Sequence, residues 1–260
     1  MKHSYLLCVL LASIISYAQS NTEVVLFDLD TKNGSFELSN FKNISNNNGY
    51  DNQPSFLDNN TILYAGTRNG QTDIVRYNIS YDSKIFINHT DGGEYSPLKI
   101  PNQNAVSAIR LDPDRKQFLY KYSLKNGESK VLIDDVVIGY HVWFNDNTIV
   151  SSVLEDEGLS LYTNNAKENK SYLQQKNIGR SLHNIPDSDL ISYISKEDAN
   201  TWEIKSLNPI SGATKTIATT VEKAEDMCWL PNGTIVMGKA NKIYTYTPNK
   251  TVDWQEVASL

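Results

Sequence analysis

The sequence predicts an all-β propeller of the six-bladed type, and three observations carry that prediction. First, an apolar pair, a polar turn and a β-type run recur as Phe56-Leu57-Asp58-Asn59-Asn60-Thr61-Ile62-Leu63, as Trp143-Phe144-Asn145-Asp146-Asn147-Thr148-Ile149-Val150 and as Trp229-Leu230-Pro231-Asn232-Gly233-Thr234-Ile235-Val236. Second, Thr72-Asp73-Ile74-Val75-Arg76-Tyr77-Asn78-Ile79 repeats Thr22-Glu23-Val24-Val25-Leu26-Phe27-Asp28-Leu29. Third, the repeat spacing is roughly 40 residues with no helical pattern inside it, as expected of four-stranded blades.

Taken in chain order, residues 23–28 and 35–39 form half a unit that matches only the third and fourth strands of a blade. Five full units follow from about Asn52. Their inner strands are predicted at 53–57, 106–111, 140–144, 181–185 and 226–230. Second strands follow at 62–66, 118–123, 149–153, 190–195 and 235–238, and third strands at 73–79, 129–133, 160–164, 202–207 and 243–247. More polar outer strands, such as 84–88 and 214–218, suit a solvated blade edge. Between units, Gly, Pro, Asn and Asp supply the backbone angles that tight reversals need. Phe56, Trp143 and Trp229 occupy one aligned column and are expected in the inter-blade core. The stretch 88–104 reads as the longest surface loop, a place where rigid scaffolds often carry recognition.

Propellers usually close by building one blade from both chain ends. Here the sixth blade has its two outer strands at the N-terminus and lacks its inner pair, so it is incomplete at the C-terminal side. An open seam between unit five and unit one, with a tendency to self-associate, is the expectation. The missing phrase would occupy roughly 25–35 further residues, half a repeat of this size.

Residues 1–18 read as a secretory signal: Lys2 and His3 begin it, an apolar run from Tyr5 to Ile15 follows, and Ser16-Tyr17-Ala18 places small residues for cleavage before Gln19. The apolar run is too short to span a bilayer. Residues 19–260 are then the propeller domain, periplasmic or secreted. A net charge of −6 argues against a nucleic-acid partner, which demands a basic stripe. No membrane span is expected either. Cys228 is left as a single cysteine in an apolar run and is expected to be a buried small hydrophobe.

The stretch Asp51-Asn52-Gln53-Pro54-Ser55-Phe56-Leu57-Asp58, then Ile62-Leu63-Tyr64-Ala65-Gly66, then Arg68-Asn69-Gly70-Gln71-Thr72-Asp73-Ile74 resembles the WD-like repeat of TolB-type propellers. The resemblance covers the whole mature chain at the level of repeat spacing and implies a six-bladed propeller exported to the periplasm or cell surface. The separate α/β domain that accompanies TolB is not seen in this sequence, so the envelope role of TolB does not carry over from the resemblance.

The sequence shows no strong catalytic motif. Gly179-Arg180-Ser181-Leu182-His183 lacks the second glycine of a nucleophile elbow, and no hydrolase domain fits beside the repeats. Asp28-Leu29-Asp30-Thr31-Lys32-Asn33-Gly34 fails calcium-loop spacing after its second aspartate and reads as an Asx-rich hairpin. No catalytic residue, metal or cofactor is expected. The candidate binding residues are Asp51, Arg180, Glu225 and Asp226, which precede or open inner strands at one rim, with His141 and His183 further along the channel. The two histidines are one position out of phase, so they should point to opposite strand faces. The expected function is non-enzymatic binding of a protein or cell-envelope component through the rim or channel mouth. The alternative is a glycosidase- or lactonase-like enzyme acting on a small sugar or lactone in the channel.

Overall fold

The structure, a computed structural model, describes residues 21–32 and 35–259. Residues 1–20, which include the expected secretory signal, and residues 33–34 and 260 lie outside the described residues. The described chain is built from strands alone, arranged as a two-stranded sheet and five four-stranded sheets. The half-blade is β1 (Val25–Lys32) with β2 (Ser35–Asn43). Blade one is β3 (Asn52–Asp58), β4 (Thr61–Arg68), β5 (Gln71–Asn78) and β6 (Ser83–Phe86). Blade two is β7 (Gly93–Lys99), β8 (Ala105–Leu111), β9 (Gln117–Ser123) and β10 (Ser129–Ile133). Blade three is β11 (Ile138–Trp143), β12 (Thr148–Glu155), β13 (Gly158–Asn165) and β14 (Lys170–Gln175). Blade four is β15 (Ile178–Asn184), β16 (Ile191–Ser195), β17 (Glu203–Leu207) and β18 (Thr214–Thr219). Blade five is β19 (Met227–Trp229), β20 (Ile235–Lys239), β21 (Lys242–Tyr246) and β22 (Gln255–Ser259). Each blade is a meander of consecutive antiparallel strands.

The repeated turn phrase has a local cause. In blades one, three and five, an Asx side chain accepts a backbone N–H two residues on: Asn60 donates to Asp58 at 2.9 Å, Asn147 to Asn145 at 2.9 Å and Thr234 to Asn232 at 3.0 Å. That bond fixes the reversal from inner to second strand. After the third strand, Asn78, Asn165 and Asn208 repeat the device, accepting from the backbone N–H groups of Tyr81, Glu168 and Ser211.

Blades pack face to face through aliphatic and aromatic side chains. Ile74 and Leu63 of blade one meet Val106, Ala108 and Tyr122 of blade two; Val142 and Val150 of blade three meet Ile178, Leu182 and Tyr193 of blade four. The half-blade packs on blade one through Val24 and Ile44, which meet Ile62, Tyr64, Val75 and Tyr77. On its other side β2 lies beside β22, the outer strand of blade five. β1 and β2 thus take the third and fourth strand positions of a sixth blade, as the phrase match predicts.

Three expectations are corrected. The stretch 88–104 is not a long loop, because β7 runs through it as the inner strand of blade two, and 106–111 is that blade's second strand. β7 lacks the aromatic of the turn phrase, with Lys99 in its place, while its bulge between Tyr95 and Leu98 and the left-handed Ser96 are shared by β3, which bulges between Asn52 and Ser55 and has Gln53 at a φ of 55°. The aromatic column is not uniformly core. Trp143 is 5% exposed, Trp229 is half-buried, and Phe56 is 64% exposed. Cys228 is exposed rather than buried. Phe56 and Cys228 share a cause, which is that each faces the position where the sixth blade has no inner strands among the described residues.

Cross-strand register makes that argument explicit. Phe56, Lys99, Trp143, Asn184 and Trp229 are the inner-strand partners of Ile62, Val106, Ile149, Ile191 and Ile235, so they form one column. Trp143 reaches back to blade two, where its indole N–H donates to Ser107 Oγ at 2.8 Å; Trp229 reaches back to blade four, donating to Ser192 Oγ at 2.8 Å. This column therefore faces the preceding blade. The neighbouring column of the second strand, Leu63, Ser107, Val150, Ser192 and Val236, faces the following blade. The first four are fully buried, whereas Val236 is only half-buried.

Candidate functional site

Every blade opens on its inner strand and all five inner strands run the same way, so their N-terminal ends share one rim of the channel. Five residues at or near the starts of these strands neighbour one another there: Tyr50, Tyr95, Tyr140, Arg180 and Asp226. Tyr50 and Tyr95 meet edge to face with ring centroids 6.0 Å apart. Burial raises the Tyr50 hydroxyl above its usual range, Tyr140 and Tyr95 add to the shift, and Arg180 opposes it.

Arg180 and Asp226 form a two-pronged pair across blades four and five. The guanidinium donates from Nε to Asp226 Oδ1 at 2.7 Å and from a terminal nitrogen to Oδ2 at 2.6 Å. Glu225 lies 3.4 Å from the same guanidinium and also pairs with Lys196. The Asp226 hydrogen bonds hold the guanidinium even more firmly protonated than usual. The pair itself is open to solvent. Arg180 also feels Tyr140 electrostatically. The mouth thus gathers three tyrosines and one oriented ion pair.

The other sequence candidates lie apart from this group. Asp51 turns into the wall between half-blade and blade one, where it accepts from Asn47 Nδ2 at 3.1 Å and from the Thr67 backbone N–H at 3.3 Å; burial raises its carboxyl. It lines a cleft with Tyr64, Thr67, Arg68 and Lys84. His141 is buried against blade two, its Nε2 2.7 Å from Ser107 Oγ, and burial lowers it to about 3. His183 sits beside Ser181 on the side of blade five, where Ser181 Oγ donates to Met227 O at 3.1 Å, and burial lowers it to about 4. The two histidines face opposite blades and hold no common site. Both are neutral at physiological pH.

Arg180, Glu225 and Asp226 are brought together; Asp51, His141 and His183 are not. The residues missed from sequence are the three tyrosines. A signal existed in Tyr50 and Tyr140, one aromatic ring near the start of the inner strands of blades one and three. Tyr95 carries no such signal, because the sequence around β7 reads as a loop. Among the described residues, no three His, Cys, Asp or Glu side chains gather in a way that would hold a metal ion. No described helix is long and apolar enough to cross a membrane.

No family model and no curated protein sequence matches the chain. Solved structures do match its fold. A putative TolB from Agrobacterium tumefaciens aligns with a TM-score of 0.68 at 11% identity, covering 85% of this chain and 85% of that one. A chain of a nidogen/laminin complex aligns at 0.67 and 12% identity, covering 90% of each. An oligogalacturonate lyase in complex with manganese aligns at 0.63 and 11% identity, covering 93% of this chain and 86% of that one. The chain therefore has a TolB-like β-propeller fold, a scaffold shared by proteins with unrelated tasks.

Proposed function

We propose that this protein is an exported, non-enzymatic β-propeller, periplasmic or secreted, that binds a protein or cell-envelope component through its channel mouth. The observation that carries this reading is the group of Tyr50, Tyr95 and Tyr140 beside the oriented Arg180–Asp226 pair. Tyrosines offer large, rigid contact surfaces at low entropic cost, and with arginine they are the side chains most enriched at binding hot spots. The polar ends of these side chains fix orientation, and the rings themselves supply area. Glu225, with Lys196 behind it, supports Arg180 from the side. The buried histidines and Asp51 act in the blades, outside this surface.

The test is capture from an envelope extract on the immobilised protein, in parallel with Tyr140→Ala and Arg180→Ala. A component retained by the parent and lost by both variants, at unchanged melting temperature, is the expected result. Equal retention by all three, or turnover of a small sugar or lactone by the purified protein, overturns the reading.

A further inference from the structure

We infer that the seam between blade five and blade one is a docking slot for an antiparallel β-hairpin, which pairs with the open edge of β1 and completes the sixth blade. The slot has three walls. On the blade-five side stand Cys228 and Val236, cross-strand partners whose counterparts Val142 and Val150 are buried against blade four. On the blade-one side stands Phe56, exposed where Trp143 of the same column is buried on the blade before it. The third wall is β1, which pairs with β2 along one edge and with no strand along the other among the described residues. Its Val25 is 37% exposed and Leu29 is 43% exposed.

The molecule itself shows what covers these surfaces. At each of the five other positions around the ring, an inner strand and a second strand fill the corresponding space, and the second strand pairs antiparallel with the third. In blade one that third strand is β5, whose phrase is the one β1 repeats. The second strand β4 pairs residue for residue with β5 from Thr61↔Asn78 to Arg68↔Gln71. The occupant is therefore an antiparallel hairpin with a short Asx-type turn. Its second strand lies antiparallel to β1. Its apolar residues alternate, one set toward Cys228 and Val236 and the other toward Phe56. Main-chain hydrogen bonds to the free edge of β1 supply affinity, and the two apolar walls supply register.

A synthetic peptide of residues 52–68, which is the inner pair of blade one, is the probe. Titrated onto the full protein, it should bind saturably and raise the melting temperature. Val236→Lys, at a half-exposed position on the slot wall, should weaken binding by about tenfold or more, as a lost apolar contact plus a desolvated charge predicts. Ile85→Lys, at an exposed position on β6 outside the slot, and Arg180→Ala at the mouth should leave peptide binding unchanged. Absence of saturable binding, or equal loss in Val236→Lys and Ile85→Lys, overturns the inference. So does sedimentation showing a dimer of the chain that Val236→Lys dissociates, because a second copy would then be the occupant.

Discussion

β1 and β5 carry the same phrase and end in different surroundings. In β5, Val75 and Tyr77 face the half-blade and are 1% and 2% exposed. In β1 the matching Val25 and Phe27 face blade five, where Val25 is exposed and Phe27 half-buried. The opposite faces of the two strands agree. Val24 and Ile74 are both buried, and each donates its backbone N–H to a side chain beyond the outer strand, Ser45 Oγ and Asn88 Oδ1, at 2.8 Å in both cases. Around these bonds the same acidic junction is built twice, as Glu23, Ser45 and Asp51 and as Asp73, Asn88 and Glu94. The half-blade is finished where it meets blade one and unfinished where it faces blade five. Local sequence sets strand and junction; the neighbouring blade decides whether an apolar side chain is buried.

The largest effect expected from this contrast is in the aromatic column. Trp143→Ala removes a buried ring that fills the space between blades two and three and leaves Ser107 Oγ without its indole donor. The cost should be about 3–5 kcal/mol. Phe56→Ala, in the same column on the open seam, should change stability by no more than about 0.5 kcal/mol, the usual scale of an exposed substitution. Chemical denaturation of the two variants separates them. A Phe56→Ala loss as large as that of Trp143→Ala would mean that the seam is packed in solution.

The next effect lies at the closed junction of blades one and two. Glu94 is fully buried, accepts from Asn88 Nδ2 at 2.7 Å and from Tyr122 Oη at 2.8 Å, and has its carboxyl pushed up by burial to about 7. A carboxyl raised in the folded state binds more protons than in the unfolded one between its ordinary range and about 7. Its contribution to stability is present at low pH and is lost as pH rises through that window. The buried neutral histidines have the opposite sign, gaining stability from about pH 4 toward their ordinary range. Comparing the parent with Glu94→Gln cancels the histidines. The stability of the variant relative to the parent should rise between pH 5 and 8 by on the order of 3 kcal/mol. A flat difference across that range would show that Glu94 reaches water at this junction.

Much of this was legible in the sequence because repetition averages over local ambiguity. The turn phrases gave four of the five inner strands, and the match of β1 to β5 placed the half-blade in the third and fourth positions. β7 was not legible, since it carries Lys99 where blades one, three and five carry the aromatic of the turn phrase, although β3 shares its left-handed residue and bulge. Nor was the exposure of Phe56 and Cys228, because a column of like residues says nothing about which neighbour is missing. At the mouth, the charges of Arg180, Glu225 and Asp226 were visible as strand-start residues, while the tyrosines read as ordinary strand formers. Asp51 and the two histidines were grouped with them by sequence position, and register separates them: a shift of one residue turns a side chain from one blade face to the other.

The smallest effect belongs to the mouth, and it sharpens the comparison by standing outside it. Arg180 and Asp226 make a well-aligned two-pronged contact, yet both side chains are open to water. An ion pair in that setting gains little, because solvent screens the attraction and two long side chains must be held in one geometry; the typical contribution is about 0–1 kcal/mol. Asp226→Ala should therefore melt close to the parent, and rising salt should shrink what difference there is. Any effect of the substitution should appear in binding, since the guanidinium loses the partner that aims it across the mouth beside Tyr50 and Tyr140. The measurement is a melt of Asp226→Ala at low and high salt beside the envelope-capture assay. Loss of capture with an unchanged melt makes the pair a recognition element. A drop in melting as large as that of Trp143→Ala would instead make it a structural clamp between blades four and five, and would move the binding surface elsewhere on the molecule.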